Sequence, residues 1–226
     1  MLKLIFVETA LELVPDSIST HPSVVRNARR RGKKPEESLL DRSLHHFAMR
    51  QLSNAEKRGR PDIIHFCLLE ALGSPLNHLG GLVIWINTIL GKTIEVNPEV
   101  RLPRDFFRFK SLIEQLLTEG EVPPGSDEPL LSVRNLLLDS LIEEVDPSLT
   151  VALTSHGEYM KLEDLCGRLV DEERPAVMIG GYPKGPMESE TISNADERVS
   201  VYPEPLEAWT VTSRLIYEFE KQSRLY

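Results

Sequence analysis

Short apolar runs along this chain alternate with longer stretches in which apolar residues recur at helical spacing. Leu2 to Val7, interrupted only by Lys3, predicts a buried strand. From Ser38 onward, Leu39, Leu40, Leu44, Phe47, Ala48 and Leu52 predict a helix ending near Gly59. Asp62 to Leu69 is a nearly continuous apolar run of strand length and predicts a strand covered on both faces. Turn residues at Ser74-Pro75-Leu76-Asn77 and Gly80-Gly81 precede a buried strand at Leu82 to Ile86 and a short one at Lys92 to Val96. Arg104 to Leu117 is helical, with Phe109, Leu112, Ile113, Leu116 and Leu117 as its apolar stripe. Glu119 to Glu128, rich in Gly, Pro and acids, is a hinge-like loop. Further strands are predicted at Leu130 to Val133, Leu149 to Leu153, Ala176 to Gly180 and Arg198 to Tyr202, and a last helix at Trp209 to Phe219. The alternation argues for an α/β fold with a mainly parallel sheet flanked by helices.

Composition narrows this picture. The 226 residues carry a formal net charge of −9, which argues against indiscriminate nucleic-acid binding. The length suits one large domain or two small ones. Charge is unevenly spread. Arg26, Arg29, Arg30, Arg31, Lys33 and Lys34 form a basic run, followed by Arg50, Lys57, Arg58 and Arg60; acids concentrate at Asp139 to Asp146 and Glu188 to Glu197. One anion-binding face would produce this asymmetry, and so would solvated surface. The stretch from Arg26 to Pro35 reads as a mobile loop or an extension into solvent. Cys67 and Cys166 have no ligand-type spacing and suit core filling in a reducing cytosol. Neither a signal peptide nor a run of roughly 18 apolar residues is seen. A soluble cytoplasmic protein without a metal site is expected.

Two groups of residues carry candidate chemistry. In Arg101-Leu-Pro-Arg-Asp-Phe-Phe-Arg108, arginines stand at spacings of three and four, with Pro103 where a helix would begin. Arg104 and Arg108 would then share one face, with Arg101 approaching it, as an anion site at a helix N-terminus. The second group lies at three strand ends, in the segments 151–157, 177–185 and 199–209. Gly180, Gly181 and Gly185 would let backbone amides approach a ligand, and equally suit a tight turn. Tyr202-Pro-Glu-Pro-Leu206 is a rigid extended loop whose carbonyls suit an adenine amino group, with Leu206 packing on the ring. Neither GxGxxG with its acid nor GxxxxGK[ST] is present.

These motifs resemble a known family. Leu40-Asp-Arg-Ser-Leu-His-His46, Arg60-Pro-Asp-Ile63, Ser74-Pro-Leu-Asn77, Ile94-Glu-Val-Asn-Pro98, Arg101-Leu-Pro-Arg104 with Phe106 to Phe109, and the three Gly/Pro loops occur in order over nearly the whole chain. Together they resemble the SPOUT-class pseudouridine-N(1)-specific rRNA methyltransferases, the Nep/Emg ribosome-biogenesis family, in archaeal form. The resemblance implies a single SPOUT domain over 1–226, with a basic extension at about 22–37. It also implies a C-terminal trefoil knot over about 149–226 that forms the S-adenosylmethionine pocket. Implied partners are small-subunit (16S-type) rRNA, a second copy of the chain in a homodimer, and ribosomal proteins of the small subunit.

Carried over by position, Arg60, Arg101, Arg104 and Arg108 resemble RNA-contacting arginines, and Asp62 resembles the residue that orients Arg60. Thr154, Gly180, Gly181, Gly185 and the run Val201, Tyr202, Pro203, Glu204, Pro205 and Leu206 fall on the cofactor loops. The third loop departs from eukaryotic relatives, which carry a Ser-Asn-Tyr-Pro type of segment there. Asp62 is read as holding Arg60 in catalysis; the alternative, a general base, is disfavoured because a carboxylate tied to an arginine is a weak one. His65 reads as a core histidine, and His45 and His46 as packing or interface residues. A non-catalytic rRNA-binding assembly factor, or a SPOUT enzyme acting on another RNA, is the alternative function.

Overall fold

Every residue of Leu2–Thr9 is buried, and this strand, β1, sits inside an eight-stranded sheet. The computed structural model describes residues 1–225. The other strands are β2 (Leu82–Thr88), β3 (Thr93–Val96), β4 (Glu121–Val122), β5 (Leu131–Arg134), β6 (Leu149–Tyr159), β7 (Pro175–Gly180) and β8 (Glu197–Ser200). Their order is β4-β5-β3-β2-β1-β7-β6-β8. Pairings β2–β1, β1–β7, β7–β6 and β6–β8 are parallel, whereas β3 and β5 join the other side as antiparallel neighbours and β4 pairs antiparallel with β5. The mainly parallel sheet expected from the sequence is present as the five strands β2-β1-β7-β6-β8, with the antiparallel strands at one edge. A four-residue connection explains the rest: β2 and β3 are too close in sequence for the crossover a parallel pair requires.

The helices are α1 (Asp16–Ser19), α2 (Pro22–Arg30), α3 (Arg42–Met49), α4 (Pro61–Leu72), α5 (Pro75–His78), α6 (Phe106–Glu119), α7 (Leu138–Val145), α8 (Leu162–Asp171), α9 (Ser189–Ile192) and α10 (Ala208–Gln222). Two elements differ in kind from the sequence expectation. The run at Asp62 to Leu69 is not a strand but the interior of α4, which starts at Pro61 and packs against α10 and α6. A helix covered on most sides has no polar stripe to betray its period. Its length and the proline at the first helical position are the signals that distinguish it. The basic run is also not an extension into solvent. His21 caps α2, Val24 and Ala28 are buried beneath it, and the chain after it is tied down by Glu114. The helix expected from Ser38 to near Gly59 is only α3, begun by Asp41, whose carboxylate accepts from the Ser43 amide at 2.9 Å.

Buried ion pairs bind these peripheral segments to α6 and to the chain that follows β1. Glu114 on α6 accepts from Arg31, from Lys33 at 2.6 Å and from the Leu39 amide at 3.0 Å. Burial opposes ionisation of Glu114, but Arg31, the Leu39 amide and Lys33 outweigh it and hold the carboxyl below its usual range. Asp41 accepts from Lys110 at 2.7 Å, and Glu12 from Arg58 Nε at 2.7 Å. Cys67 and Cys166 are buried, as expected of core fillers.

His45 adds a pH dependence. The Asp41 amide donates to its Nδ1 at 3.1 Å, and burial pushes the imidazole down to about 4 from 6.5, against the pull of Asp41. A base held neutral by the fold stabilises fully above its unfolded value and loses that contribution as pH falls toward 4. Between pH 7.5 and pH 5 this amounts to about 2 kcal/mol. His45→Gln, which does not titrate, is expected to remove about that much of the acid sensitivity when urea unfolding is measured at both pH values.

Candidate active site

The carboxyl ends of β6, β7 and β8 open on one side of the sheet, and the loops leaving them enclose a cavity of about 510 Å³. That falls within the usual range for small-molecule sites, roughly 300–1,000 Å³. β6 does not stop where its apolar run ends. It pairs with β8 through Val151 to Leu153, arches through residues 154–157, and pairs again through Glu158 and Tyr159, so that Val199 serves both registers. Gly157 makes this possible, since a Cβ there would lie 2.5 Å from the Val199 carbonyl carbon. The arch brings Thr154 to the cavity wall.

Of the residues expected to meet a cofactor, Thr154, Gly180, Gly185, Val201, Tyr202, Glu204, Pro205 and Leu206 all line this cavity. Gly181 and Pro203 fall outside the lining. Gly181 faces β1 instead: a Cβ would meet Thr9 Oγ1 at 2.5 Å, and its amide donates to the Val7 carbonyl at 2.8 Å. Tyr182, Met187, Glu207, Ile63 and Val211 also line the cavity, although the sequence reading assigned none of them to the cofactor. Tyr182 and Met187 flank the glycines of the second loop and were within reach of sequence reasoning. Ile63 and Val211 lie on α4 and α10, whose mutual packing only the tertiary structure supplies.

Ile63 also connects the cavity to the arginines. It stands beside Asp62, which accepts from Arg60 Nε at 2.8 Å and Nη2 at 2.7 Å, the bidentate geometry expected of the pair. That contact, aided by the charges of Glu207 and Asp41, holds the Arg60 guanidinium above its usual pKa. Glu207 itself lines the cavity mouth, so the ion pair and the cavity are neighbours.

The second arginine cluster reaches the same helix by another route. His65, one turn beyond Asp62 on α4, donates from Nε2 to the Pro103 carbonyl at 2.8 Å and stacks on Phe109 with ring centroids 4.1 Å apart. Burial lowers the His65 pKa despite the Pro103 contact, so the ring stays neutral and anchors the 101–104 segment. His65 is thus the satisfied core histidine expected. The helix, however, does not begin at Pro103. Asp105 is the cap, accepting from the Arg108 amide at 2.9 Å, and α6 starts at Phe106. A carboxylate cap outweighs proline as a start signal because it satisfies a free amide. Arg104 therefore precedes the helix and does not share a helical face with Arg108. Arg101, Arg104 and Arg108 are exposed, and none has a carboxylate partner among the described residues. Three guanidiniums are thus presented to solvent within eight residues of a chain whose formal net charge is −9.

Among the described residues no three His, Cys, Asp or Glu side chains come together as a metal site, and no helix is long and apolar enough to cross a membrane.

An α/β sheet with a cavity at its strand ends and exposed arginines on a neighbouring segment defines the class as an α/β protein with a small-molecule-sized site. Residues 4–220 match the sequence profile described as EMG1/NEP1 methyltransferase. A ribosomal RNA small subunit methyltransferase Nep1 from Staphylothermus marinus is 49% identical over 215 residues, covering 95% of this chain and 93% of the relative. The protein of that name from Thermococcus kodakarensis is 43% identical, covering 97% and 98%. The crystal structure of Archaeoglobus fulgidus Nep1 bound to S-adenosylhomocysteine superposes with a TM-score of 0.87 at 36% identity, covering 99% of both chains. The chain belongs to the EMG1/NEP1 methyltransferase family.

Proposed function

We propose that this protein transfers a methyl group from S-adenosylmethionine to N1 of a pseudouridine in small-subunit rRNA, in the cytoplasm and as part of small-subunit biogenesis. The observation that carries the reading is the adjacency of the three-loop cavity to Arg60–Asp62 through Ile63 and Glu207. Family membership, and relatives named as small-subunit rRNA methyltransferases, support it. In this reading residues 1–226 form one SPOUT domain, 149–226 form the knotted cofactor region, and two copies form the working enzyme with ribosomal proteins of the small subunit nearby.

The residues present suit an adenosyl ligand. Thr154, Gly180, Gly185 and the backbone of Val201 to Leu206 would hold it; the proline-fixed third loop presents carbonyls, and Leu206 an apolar face. When bound, S-adenosylmethionine supplies a sulfonium methyl for in-line displacement. The chain's contribution is positioning. Arg101, Arg104 and Arg108 bind phosphates of a single-stranded or splayed loop, because a paired base hides its edge. Arg60, locked by Asp62, would place one cation near the uracil-like ring, whose N–H proton passes to solvent water as the N–CH3 bond forms and S-adenosylhomocysteine leaves. Asp62 orients; it is already engaged by both oxygens.

Labelled methyl transfer to an rRNA-loop oligonucleotide containing pseudouridine tests this. Transfer is expected there, and none to the same oligonucleotide containing uridine. Arg104→Ala is expected to weaken binding and lower the salt slope by about one. Equal methylation of both oligonucleotides, or RNA affinity unaffected by Arg104→Ala at fixed salt, would end the proposal.

A further inference from the structure

The second loop of the cavity, residues 181–188, contributes Tyr182, Gly185 and Met187 to the lining, and it is held by residues far away in the chain. Lys57, buried at 4% exposure, ends the turn Ala55–Lys57. Its ammonium lies 2.6 Å from Glu8 Oε2, 2.7 Å from Glu188 Oε1 and 4.6 Å from the centre of the Tyr182 ring. The other oxygen of Glu8 accepts from the Glu188 amide at 2.7 Å. Gly185, at a φ of 95°, passes so close that a Cβ would touch Lys57 Cε at 3.4 Å. One ammonium therefore contacts or borders the loop at its beginning, middle and end.

The anchor is built at some conformational cost. Glu8 stands at the end of β1 with a φ of 49°, a region uncommon for residues other than glycine, asparagine and aspartate. Burial alone would lower the Lys57 pKa, yet the hydrogen bonds to Glu188 and Glu8 raise it above the ordinary lysine value, so the cation is maintained. An ion pair serving only the core would need neither a second carboxylate on a surface loop nor an aromatic face from that loop. The same short segment continues to Arg58, paired with buried Glu12, and to Arg60, paired with Asp62.

We propose that Lys57 is a positioning residue for the methyl-donor site, holding Tyr182, Gly185 and Glu188 so that the second loop is formed before the ligand arrives. The inference rests on reading the cavity as the S-adenosylmethionine site. Without the anchor, binding would have to order about eight residues, and affinity would fall by that entropy.

The test measures S-adenosylhomocysteine affinity by calorimetry, with rRNA-oligonucleotide affinity measured on the same preparations. Lys57→Met is expected to raise the dissociation constant about tenfold or more, Lys57→Arg to recover most of the loss, and RNA affinity to stay unchanged. Glu188→Gln, which touches only the exposed carboxylate, is expected to raise it about threefold. If wild-type protein itself binds no S-adenosylhomocysteine, the cavity reading falls and the proposal with it. If wild type binds and folded Lys57→Met binds equally well, the proposal alone is overturned. It is also overturned if RNA affinity falls in step without rescue by arginine, which would mark a general structural defect. Should Lys57→Met fail to fold, because Glu8 is left buried and unpaired, Glu188→Gln decides: a raised constant supports the anchor and an unchanged one refutes it.

Discussion

Glu114→Ala is expected to destabilise the protein by about 3–5 kcal/mol, the usual cost of breaking a buried ion pair from one side. The side chain is 1% exposed and is the shared acceptor for Arg31, Lys33 and the Leu39 amide. Alanine would leave two cations without a partner and a buried amide without an acceptor, while opening a cavity on α6. Glu144, whose pair with Arg134 lies at the surface, is the control, and Glu144→Ala is expected to leave the unfolding midpoint where it is. Urea unfolding at pH 7.5 separates the two. Limited proteolysis locates the damage, with cleavage in residues 31–38 expected well before global unfolding, since that segment loses the carboxylate that ties it to α6. A Glu114→Ala protein as stable as wild type would mean that burial had already cancelled the gain from the three contacts.

The strands were legible in the sequence wherever burial on both faces made a short apolar run between turns, as at Leu2 to Val7, Leu82 to Ile86 and Ala176 to Gly180. The same rule misassigned α4, because a helix packed against α6 and α10 is as uniformly apolar as a central strand. The basic run showed the converse error. Charge suggested exposure, but Arg31 and Lys33 find their partner 83 and 81 residues later, and no local pattern announces a contact at that distance. Both failures are cases of tertiary packing overriding a local signal.

The site divides along the same line. Arg60 and Asp62 are two residues apart at a helix start, so their pairing follows from local geometry. The Gly/Pro loops were visible as turn chemistry. What joins these parts was not visible: His65 anchoring the arginine segment through Pro103, and Lys57 gripping the second loop through Glu8 and Glu188. Each connector is an ordinary-looking residue whose partner lies on another element. Sequence motifs thus marked the groups facing a ligand and left unmarked the groups that hold them in place.

Gly157→Ala is expected to raise the dissociation constant for S-adenosylhomocysteine by about a hundredfold and to destabilise the fold by about 3 kcal/mol. The added methyl would lie 2.5 Å and 2.6 Å from the carbonyl carbon and nitrogen of Val199, and 2.7 Å from the carbonyl carbon of Arg198. All three are backbone atoms, so no rotamer change relieves the contact; either β8 or the arch must move. Moving the arch displaces Thr154 from the cavity wall, and moving β8 displaces the third loop, which leaves it at Val201. Both lie in the proposed adenosyl site, so stability and affinity should fall together. Gly167, inside α8, provides the opposite case. Nothing lies within 4 Å of its would-be Cβ, and Gly167→Ala is expected to stabilise the helix by up to about 1 kcal/mol without touching affinity. Thermal unfolding therefore shifts in opposite directions for the two variants, and calorimetry shifts for Gly157→Ala alone. If Gly157→Ala binds S-adenosylhomocysteine as wild type does, the crossing of β6 over Val199 is looser than these distances require and the arch does not shape the site.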